Sequence, residues 1–333
     1  MRGDGSRTDR ILLGRLRESG GPVSGERLAR DLGVSRVALW KRVAALKAWG
    51  YRIEAGRRGY QLARDDGLAP ADLGDIACPG GPAPGRSGDG PEPEVPLPIR
   101  VLARAGSTMD EARAWGFRGA PSGAAVLALS QSSGRGRGGR EWKSPPGGLY
   151  LSLVLRSALP PAWAGALVLE AARTLLEILE ASGIRGVSFR WPDDIVAGRR
   201  KLGGILAESY GGLDRAEFYV LGIGLNGAPV RLEDRPAVGL DELVPSAPRR
   251  RDLFRALAAA LRGWCENPVT DPRRWAALEP PRDRPVRAEL WDGRILEILP
   301  RGYTLRGELA CADRRASLAL GECRKMTYEG EEP

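Results

Sequence analysis

Residues 124–155 read AAVLALSQSSGRGRGGREWKSPPGGLYLSLVL. Two apolar runs, 124–129 and 149–155, enclose a segment with four glycines and three arginines between residues 131 and 142. Apolar runs of this length are typical of buried strands. Glycine lets backbone amides close on an anion, and arginine offers fixed donor forks for phosphate or carboxylate oxygens. The segment 131–142, called here the arginine–glycine loop, is therefore predicted to bind an anionic ligand between two strands.

Further strand and helix signals surround this loop. Predicted strands lie at 99–103, 124–129, 149–156, 187–191, 201–208 and 217–226. Predicted helices lie at 107–115, 163–182 and 252–264. Consecutive strands joined by hairpins, with helices over one face, indicate an α+β domain with a mixed sheet. From residue 284 to residue 328, short alternating strands separated by glycine turns predict a small C-terminal β-barrel.

The first 64 residues have the pattern of a basic helical unit followed by a hairpin. Apolar residues at helical spacing, capping serines at Ser24 and Ser35, and a glycine turn at Gly33 predict a helix-turn-helix. Two short strand signals around residues 56–58 predict a wing. This segment has 15 Lys and Arg against 6 Asp and Glu, a difference equal to the whole net charge of +9. We predict binding to double-stranded DNA; a basic domain for protein contacts is the alternative.

Candidate DNA contacts lie on the third helix and in the wing. The helix would direct its polar and aromatic side chains into a major groove, and the wing would contact backbone phosphates. The candidates are Ser35, Arg36, Trp40, Lys41, Arg57 and Arg58. An aromatic side chain at the spacing of Trp40 is as often a core residue, so this position alone decides little.

Residues 65–98 differ in composition from both flanks. They contain eight prolines and seven glycines and have almost no apolar periodicity. Such a segment is typical of a linker, so the flanking domains are not expected to share a rigid interface through it. The predicted units are a DNA-binding domain at 1–64, a linker at 65–98, a catalytic domain at 99–280 and a small barrel at 281–328.

The composition excludes several kinds of chemistry. The 333 residues contain no histidine, which removes Ser-His-Asp and Cys-His catalysis and histidine-ligated metals. The four cysteines are scattered without a CxxC pair, so neither a zinc site nor a disulfide framework is indicated. No apolar run is long enough for a membrane span, and no signal-peptide pattern follows Met1. We expect a reduced, cytoplasmic protein without membrane contact.

Four segments of the central region carry candidate chemistry. They are the arginine–glycine loop, the WPDD run at 191–194, the KLGGILAE run at 201–208 and the GIGLN run at 222–226. Glycines inside an apolar strand imply the close approach of a ligand or of another backbone. Each segment has a plainer explanation when it stands alone: arginine–glycine repeats occur in disordered tails, paired aspartates cap turns, and a lysine that begins a strand is often solvated. Together in one domain they favour a catalytic site.

These four segments closely resemble those of the biotin protein ligases. With the N-terminal helix-turn-helix, the chain is similar to the bifunctional form, which is both a biotin–[acetyl-CoA-carboxylase] ligase and a repressor of biotin genes. The resemblance implies a fold with a winged helix-turn-helix, a biotin/lipoate-ligase-like sheet and an SH3-like barrel. It also implies a two-step reaction, in which biotin and Mg²⁺-bound ATP form biotinyl-5′-AMP and a lysine of biotin carboxyl carrier protein then accepts biotin.

The resemblance implies roles for individual residues. Biotin would contact Ser107, Thr108, Met109, Gln131, Arg135, Gly136, Arg137, Lys201 and Gly204. ATP or the adenylate would contact Arg137, Arg140, Trp142, Lys201 and Asn226. Arg137 and Lys201 would stabilise charge on the transferring phosphorus, because two anions must meet there. Asp194 would orient or deprotonate the incoming lysine amine.

One residue departs from the family pattern. Asp193 stands where relatives usually carry Asn, and its extra carboxylate would bind Mg²⁺ or face solvent. The resemblance further implies a DNA operator and a homodimer in the adenylate-bound state. Two alternatives stay open: a lipoate-ligase-like enzyme of the same fold, and a non-catalytic transcription factor that senses biotin.

Overall fold

The structure is a computed structural model that describes residues 4–73, 77–78, 95–96, 98–157, 159–230, 236–244, 248–268, 271–278, 284–312 and 317–328. The helices are α1 (Asp4–Glu18), α2 (Gly25–Asp31), α3 (Arg36–Ala48), α4 (Pro70–Leu73), α5 (Thr108–Phe117), α6 (Ala164–Ala181), α7 (Leu240–Leu243) and α8 (Arg250–Glu266). Short 3-10 helices occupy Arg137–Gly139, Pro161–Trp163 and Pro272–Leu278.

The strands among the described residues fall into five sheets. The first six are β1 (Arg52–Gly56), β2 (Gly59–Arg64), β3 (Ala77–Cys78), β4 (Val95–Pro96), β5 (Ile99–Leu102) and β6 (Ala124–Ala128). The next five are β7 (Leu149–Leu155), β8 (Val187–Arg190), β9 (Asp194–Ala197), β10 (Arg200–Gly211) and β11 (Ala216–Leu225). The last five are β12 (Val286–Leu290), β13 (Ile295–Ile298), β14 (Pro300–Tyr303), β15 (Leu309–Cys311) and β16 (Cys323–Thr327).

The N-terminal unit has the predicted order of three helices and a wing. Leucines from α1, α2 and α3 fill its core, since apolar residues recur at helical spacing on the inner faces. Gly33, with φ of +62°, makes the turn between α2 and α3. Ser35 caps α3 by accepting a hydrogen bond from the Ala38 amide at 3.1 Å. The antiparallel hairpin β1–β2 forms the wing. The helix-turn-helix prediction is confirmed.

The start of the predicted linker is packed rather than loose. Asp65 accepts hydrogen bonds from Arg17 of α1 at 2.7 and 2.9 Å and from Arg251 of α8 at 2.8 Å. Arg250 donates to the Asp66 carboxylate and to the Gly148 carbonyl at 3.1 Å. The expectation that 65–98 leaves the domains without a rigid interface was therefore wrong for residues 65–73. Composition alone marked these residues as linker, and it carries no information about partners remote in sequence.

Apolar contacts also connect residues 65–73 to the N-terminal unit and to the central domain; this contact region is called here the joint. Leu68 is fully buried in the central core, and its amide donates to the Trp49 carbonyl at 3.0 Å. Trp49 follows α3 and packs against both the central and the N-terminal core. Apart from 77–78 and 95–96, which pair as β3 and β4, predicted linker residues 74–97 lie outside the described residues.

The central domain is built on a seven-stranded sheet of order β5-β6-β7-β11-β10-β9-β8. The pair β5–β6 is parallel and the other pairs are antiparallel, so the sheet is mixed as predicted. Strands β6 and β7 are buried along their whole length, because helices cover both faces. Helices α6 and α8 pack on one face, and α5 packs on the other through Met109 and Ala112. The sequence predicts helices over one face of the sheet only. This prediction was wrong, because α5 covers the second face.

The C-terminal segment forms short antiparallel strands, in sheets of order β13-β12-β16 and β14-β15. These five strands, called here the C-terminal strands, agree with the predicted strand pattern. Their buried side chains, such as Ala288 and Cys323, belong to the same core as the central sheet. No helix among the described residues is both long and apolar enough to cross a membrane.

Candidate functional site

A cavity of about 520 Å³ lies beside the arginine–glycine loop, between the α5 face of the sheet and the C-terminal strands. Among the described residues, the cations on its lining are Arg135, Arg137, Arg140, Lys143, Lys201, Arg324 and Lys325. The lining acids are Glu141, Asp193 and Glu289. Seven cations against three acids leave a positive surplus, which attracts anions into a partly enclosed space. The cavity suits a ligand with phosphate or carboxylate groups.

Glycines open the sheet beneath this cavity. In the register of the sheet, Gly204 of β10 lies opposite Gly224 of β11, which lies opposite Tyr150 of β7. In the row two residues away, Gly222 lies opposite Ser152. A side chain at any of these glycine positions would occupy the surface of the sheet under the cavity. Glycines within apolar strands therefore indicate that a ligand or another side chain packs against this surface.

Two side chains use this space. A Cβ placed on Gly224 would lie 2.7 Å from the Trp142 indole nitrogen, and one on Gly222 would lie 2.6 Å from the Met109 sulfur. The same test at Gly204 gives 3.3 Å to the Trp142 ring. The glycines thus let Trp142 and Met109 lie close against the sheet and form walls of the cavity.

A buried polar cluster lies at the α5 end of the cavity. Gln131 Oε1 accepts hydrogen bonds from the Thr108 amide at 2.7 Å and from Thr108 Oγ1 at 3.1 Å. Ser152 donates to Thr108 Oγ1 at 2.8 Å, and Gln131 Nε2 donates to Ser144 at 2.7 Å. Ser107 Oγ is buried with no hydrogen-bond partner among the described residues. A neutral ligand with donor and acceptor groups could satisfy such atoms.

Another part of the cavity lining is cationic and aromatic. Lys201 Nζ lies 2.6 Å from Asp194 Oδ1 and 5.1 Å from the centre of the Trp142 ring. Arg140 lines the same space, and its Nε donates to the Arg137 carbonyl at 3.4 Å. Trp142 Nε1 is buried without a hydrogen-bond partner among the described residues. A flat ring with a polar edge beside two cations is a suitable environment for a nucleotide.

The other arginines of the loop are tied to carboxylates. Arg135 Nη2 lies 3.0 Å from Asp110 Oδ1 and 3.2 Å from Glu208 Oε2. Arg137 is buried, and its Nε lies 3.1 Å from Asp193 Oδ2. The expected alternatives for Asp193 were Mg²⁺ or solvent; instead its carboxylate faces a buried guanidinium.

The cavity brings together most of the residues predicted from the sequence. The predicted residues on its lining are Ser107, Thr108, Met109, Gln131, Arg135, Gly136, Arg137, Arg140, Trp142, Asp193, Lys201 and Gly204. Asp194 and Asn226 are not among the described lining residues. Asn226 is buried, and its side-chain amide donates to the Lys201 carbonyl at 3.1 Å and to the Val238 carbonyl at 3.3 Å. It therefore fixes the backbone that carries Lys201.

Several lining residues were missed from the sequence. Ser152 and Tyr150 lie within the apolar run 149–155, whose pattern predicts only a buried strand. The sequence did contain a signal for Ser152, because a serine that is buried within an apolar strand needs a hydrogen-bond partner. Tyr150 donates to the Pro145 carbonyl at 2.7 Å, and burial raises the pKa of its phenol, so it stays neutral. Arg324 and Lys325 of β16 were missed because no local pattern links them to the loop.

A second surface lies on the N-terminal unit. The outer face of α3 exposes Arg36, Trp40 and Lys41, and Trp40 is 61% exposed. Arg57 and Arg58 are exposed at the turn of the wing. Trp40 is thus a surface residue and not part of the core, and these basic side chains are available to a polyanion.

The described residues contain no group of three or more His, Cys, Asp or Glu side chains arranged to hold a metal ion. Glu289 on the lining is engaged by Arg324 at 2.7 Å, and Asp193 is engaged by Arg137. Mg²⁺ is commonly held by one or two carboxylates together with substrate phosphates. The residues present fit a magnesium ion that arrives with a nucleotide better than a preformed protein site.

Comparisons with known proteins agree with this geometry. Residues 101–226 match the model of the biotin/lipoate A/B protein ligase family, and residues 9–61 match a helix-turn-helix domain model. The biotin protein ligase from Aquifex aeolicus, solved in complex with biotin and ATP, has the same fold. Its TM-score is 0.55 at 21% identity, with 69% of this chain and 99% of that chain covered.

Curated relatives extend the likeness to the sequence level. The bifunctional ligase/repressor BirA of Bacillus spizizenii is 33% identical over 214 residues, or 61% of this chain; the match spans 60% of the Bacillus protein. BirA of Escherichia coli is 32% identical over 308 residues, covering 86% of this chain and 87% of that protein. Because this second match runs through both the helix-turn-helix and the central sheet, the chain belongs to the BirA family of bifunctional ligase/repressor proteins.

Proposed function

We propose that the chain is an ATP-dependent biotin protein ligase. Biotin's carboxylate attacks the α-phosphorus of ATP, the bond to the β-phosphate oxygen breaks, and pyrophosphate leaves. The product is biotinyl-5′-AMP. A lysine amine of biotin carboxyl carrier protein then attacks the biotinyl carbonyl, loses a proton and releases AMP. The observation that carries this proposal is a single cavity in which a buried neutral polar cluster adjoins a cationic, aromatic end.

The polar cluster is the proposed seat of biotin. Thr108, Gln131 and the unpartnered Ser107 hydroxyl would bond the ureido group, because each supplies a donor or an acceptor in a buried setting. Met109 and Gly136 would pack on the ligand, and Arg135 would close the loop over it. Biotin's carboxylate would then point along the glycine rows towards Lys201 and Gly204.

The cationic end is the proposed seat of ATP. Trp142 would wall or stack on the adenine, and Arg140 would contact phosphate. Arg137 and Lys201 would stabilise the charge that grows on the α-phosphate during transfer. Asn226 would serve this end through the backbone of Lys201, to which it is hydrogen-bonded. Mg²⁺, when bound with ATP, supplies further neutralisation of phosphate charge.

Asp194 is proposed to act in the second step. Its carboxylate would orient or deprotonate the incoming lysine amine, which must be neutral to attack. Its present partner is the Lys201 amine at 2.6 Å. Because the Asp194 carboxylate already lies beside the Lys201 ammonium group, it is placed where it could also accept a proton from the acceptor lysine.

Label transfer tests the enzymatic proposal. The full chain is incubated with ATP, Mg²⁺, a biotin carboxyl carrier domain, and either labelled biotin or labelled lipoate. Transfer from biotin alone supports the proposal, whereas transfer from lipoate alone supports the lipoate-ligase alternative. Tight binding of biotin without adenylate formation or transfer would support a non-catalytic sensor.

We also propose that the N-terminal unit binds double-stranded operator DNA and represses biotin genes. The exposed Arg36, Trp40 and Lys41 on α3 and the wing arginines support this role, because they form a basic face on a helix-turn-helix. Titration with DNA at several salt concentrations tests it. Binding that tightens with biotin and ATP supports a repressor, and salt-independent or absent binding rejects it.

The state of the protein in the cell is a further part of the proposal. We propose a cytoplasmic protein that forms a homodimer when loaded with adenylate. The domain units at 1–64, 99–280 and 281–328 are proposed to carry DNA binding, catalysis and support of the loop, respectively. Sedimentation with and without biotin and ATP tests the dimer: an unchanged mass would reject it.

A further inference from the structure

Arg137 is held from several sides. Its side chain is 6% exposed, and Nη1 donates to the carbonyls of Leu320 at 3.0 Å and Cys323 at 2.6 Å. Nη2 donates to the Arg324 carbonyl at 3.4 Å. Asp193 Oδ2 lies 3.1 Å from Nε as an ion pair, and this buried nitrogen makes no hydrogen bond among the described residues. The middle of the arginine–glycine loop is thus fastened to the C-terminal strands by one side chain.

Asp193 is the acidic partner in this arrangement. The three carbonyls carry only partial charge, and a guanidinium removed from water needs a full counter-charge to offset its desolvation. The neighbouring Asp194 is paired with Lys201, so it is engaged elsewhere. An asparagine at position 193 would offer only a neutral oxygen in the same place.

A second contact continues the attachment. A Cβ placed on Gly138 would lie 2.0 Å from the Trp291 ring, so the loop turns directly against the segment between β12 and β13. Gly138 adopts φ of +62°, which side-chain-bearing residues rarely adopt. The turn next to Arg137 therefore requires glycine at position 138, both for its backbone conformation and for the space that Trp291 occupies.

We propose that Asp193 is a positioning residue, whose carboxylate holds the Arg137 guanidinium, and with it the arginine–glycine loop, in place against the C-terminal strands. Arg137 lines the cavity from this fixed position. A cation held in advance stabilises a transition state without the cost of reorganising at the moment of reaction. The statement about reaction rests on the proposed ligase function, while the statement about the loop does not.

Hydrogen–deuterium exchange of the unliganded full chain tests the loop directly. Asp193→Asn keeps the shape and removes the charge, so amides of residues 133–142 should exchange about tenfold faster or more. The matched control is Asp271→Asn, since Asp271 pairs with Arg273 at the surface, away from the cavity. The control should leave exchange in the loop unchanged. Loop exchange within about twofold of the wild-type rate in Asp193→Asn would overturn the proposal.

Two further variants separate charge from packing. Asp193→Glu retains the carboxylate and should restore most of the slow exchange, which a purely steric role would not. Because Asp193 acts through Arg137, adding Asp193→Asn to Arg137→Gln should accelerate exchange little beyond Arg137→Gln alone. Additive effects, or equal damage by Glu and Asn, would overturn the proposal.

Kinetics provide the link to function. In ATP–pyrophosphate exchange, Asp193→Asn should lower kcat about tenfold with a smaller change in the KM for biotin, because a preorganised cation acts mainly in the transition state. A raised KM with unchanged kcat would overturn the assigned role. If the wild-type chain catalyses no exchange, the ligase proposal fails, and the loop measurements still decide the role of Asp193.

Discussion

Lys201 Nζ lies 2.6 Å from Asp194 Oδ1, with the two side chains 14% and 8% exposed. Asp194 begins β9 and Lys201 stands near the start of β10, so the hairpin between these strands brings them together. Asn226 then fixes the backbone at Lys201 through its side-chain amide. Lys201 is therefore positioned by its ion pair with Asp194, by the β9–β10 hairpin and by the hydrogen bond that its carbonyl accepts from the buried Asn226 amide.

The first prediction concerns the Lys201 amine. Lys201→Ala should slow ATP–pyrophosphate exchange about a hundred- to a thousandfold, since it removes a cation aimed at developing negative charge. Arg200→Ala is the matched control, because Arg200 is the preceding residue and pairs with Glu242 at the surface. The control should keep near-normal exchange. A Lys201→Ala protein that exchanges pyrophosphate normally would exclude the lysine from the chemical step.

The second prediction concerns the space beneath Trp142. Gly224→Ala would place a methyl group 2.7 Å from the indole nitrogen and displace the ring. If Trp142 contacts adenine, the KM for ATP should rise about tenfold, the usual worth of an aromatic stacking contact. Gly212→Ala is the control, since its methyl group would meet the Arg215 carbonyl at an ordinary 3.8 Å. An unaltered KM for ATP in Gly224→Ala would remove Trp142 from the nucleotide site.

Which residues line the cavity was largely predictable because they form local patterns, whereas the roles assigned to them came from the resemblance to a family. The arginine–glycine loop, the strand glycines and Lys201 occur in short segments of one domain, and their composition together indicates a ligand site although each has a plainer explanation alone. The wing and the turn at Gly33 were predictable for the same reason, since backbone conformation there depends on nearby residues.

Contacts between remote segments could not be predicted. Asp65 meets Arg251, which lies 186 residues further along the chain, and Arg137 meets the Leu320 carbonyl, 183 residues away. No periodicity or spacing encodes such pairs. The proline- and glycine-rich composition suggested that the linker begins at residue 65, whereas the fold recruits its first residues into the joint. The position of α5 on the second face is likewise a property of the assembled sheet.

The third prediction concerns the contacts that Asp65 makes with Arg17 of the N-terminal unit and Arg251 of the central domain. Burial alone would raise the pKa of this carboxyl, but the hydrogen bonds from Arg251 and Arg17 outweigh it and hold the pKa well below its usual 3.8. Asp65→Asn removes the closest counter-charge of the buried Arg251 and of the partly buried Arg17. The free energy of unfolding at pH 7 should fall by roughly 3 kcal/mol, as when one partner of a buried pair is removed. Urea denaturation measures this change, with the exposed Asp214→Asn as control.

The sign of the pH dependence follows from the lowered pKa of Asp65. A carboxyl whose folded pKa is depressed contributes stability above its unfolded pKa, and that stability disappears as the pH falls through the folded pKa. The stability difference between the wild type and Asp65→Asn should therefore be full at pH 7 and shrink as the pH falls below about 4. A difference that stays constant across this range would show that the ionised carboxylate does not stabilise the joint.

The fourth prediction concerns the DNA surface. Arg57→Ala and Arg58→Ala, which change the two wing residues, should each weaken binding to all duplexes alike and reduce the slope of log K against log salt by about 0.9 for each phosphate that is no longer neutralised. Trp40→Ala should leave that slope unchanged and alter the preference among sequences, because an exposed aromatic on α3 can contact bases but releases no counterion.

The probe for these measurements is a duplex selected by the protein from a random pool, compared with a scrambled duplex of equal length. Arg294→Ala is the control, since Arg294 is an exposed cation between β12 and β13 that pairs with Asp292. If Arg294→Ala reduces the salt slope as much as Arg58→Ala, binding follows the net charge of the chain rather than the wing. A slope reduced only by the N-terminal variants places the phosphate contacts on the helix-turn-helix, and a sequence preference that changes only in Trp40→Ala assigns base recognition to α3.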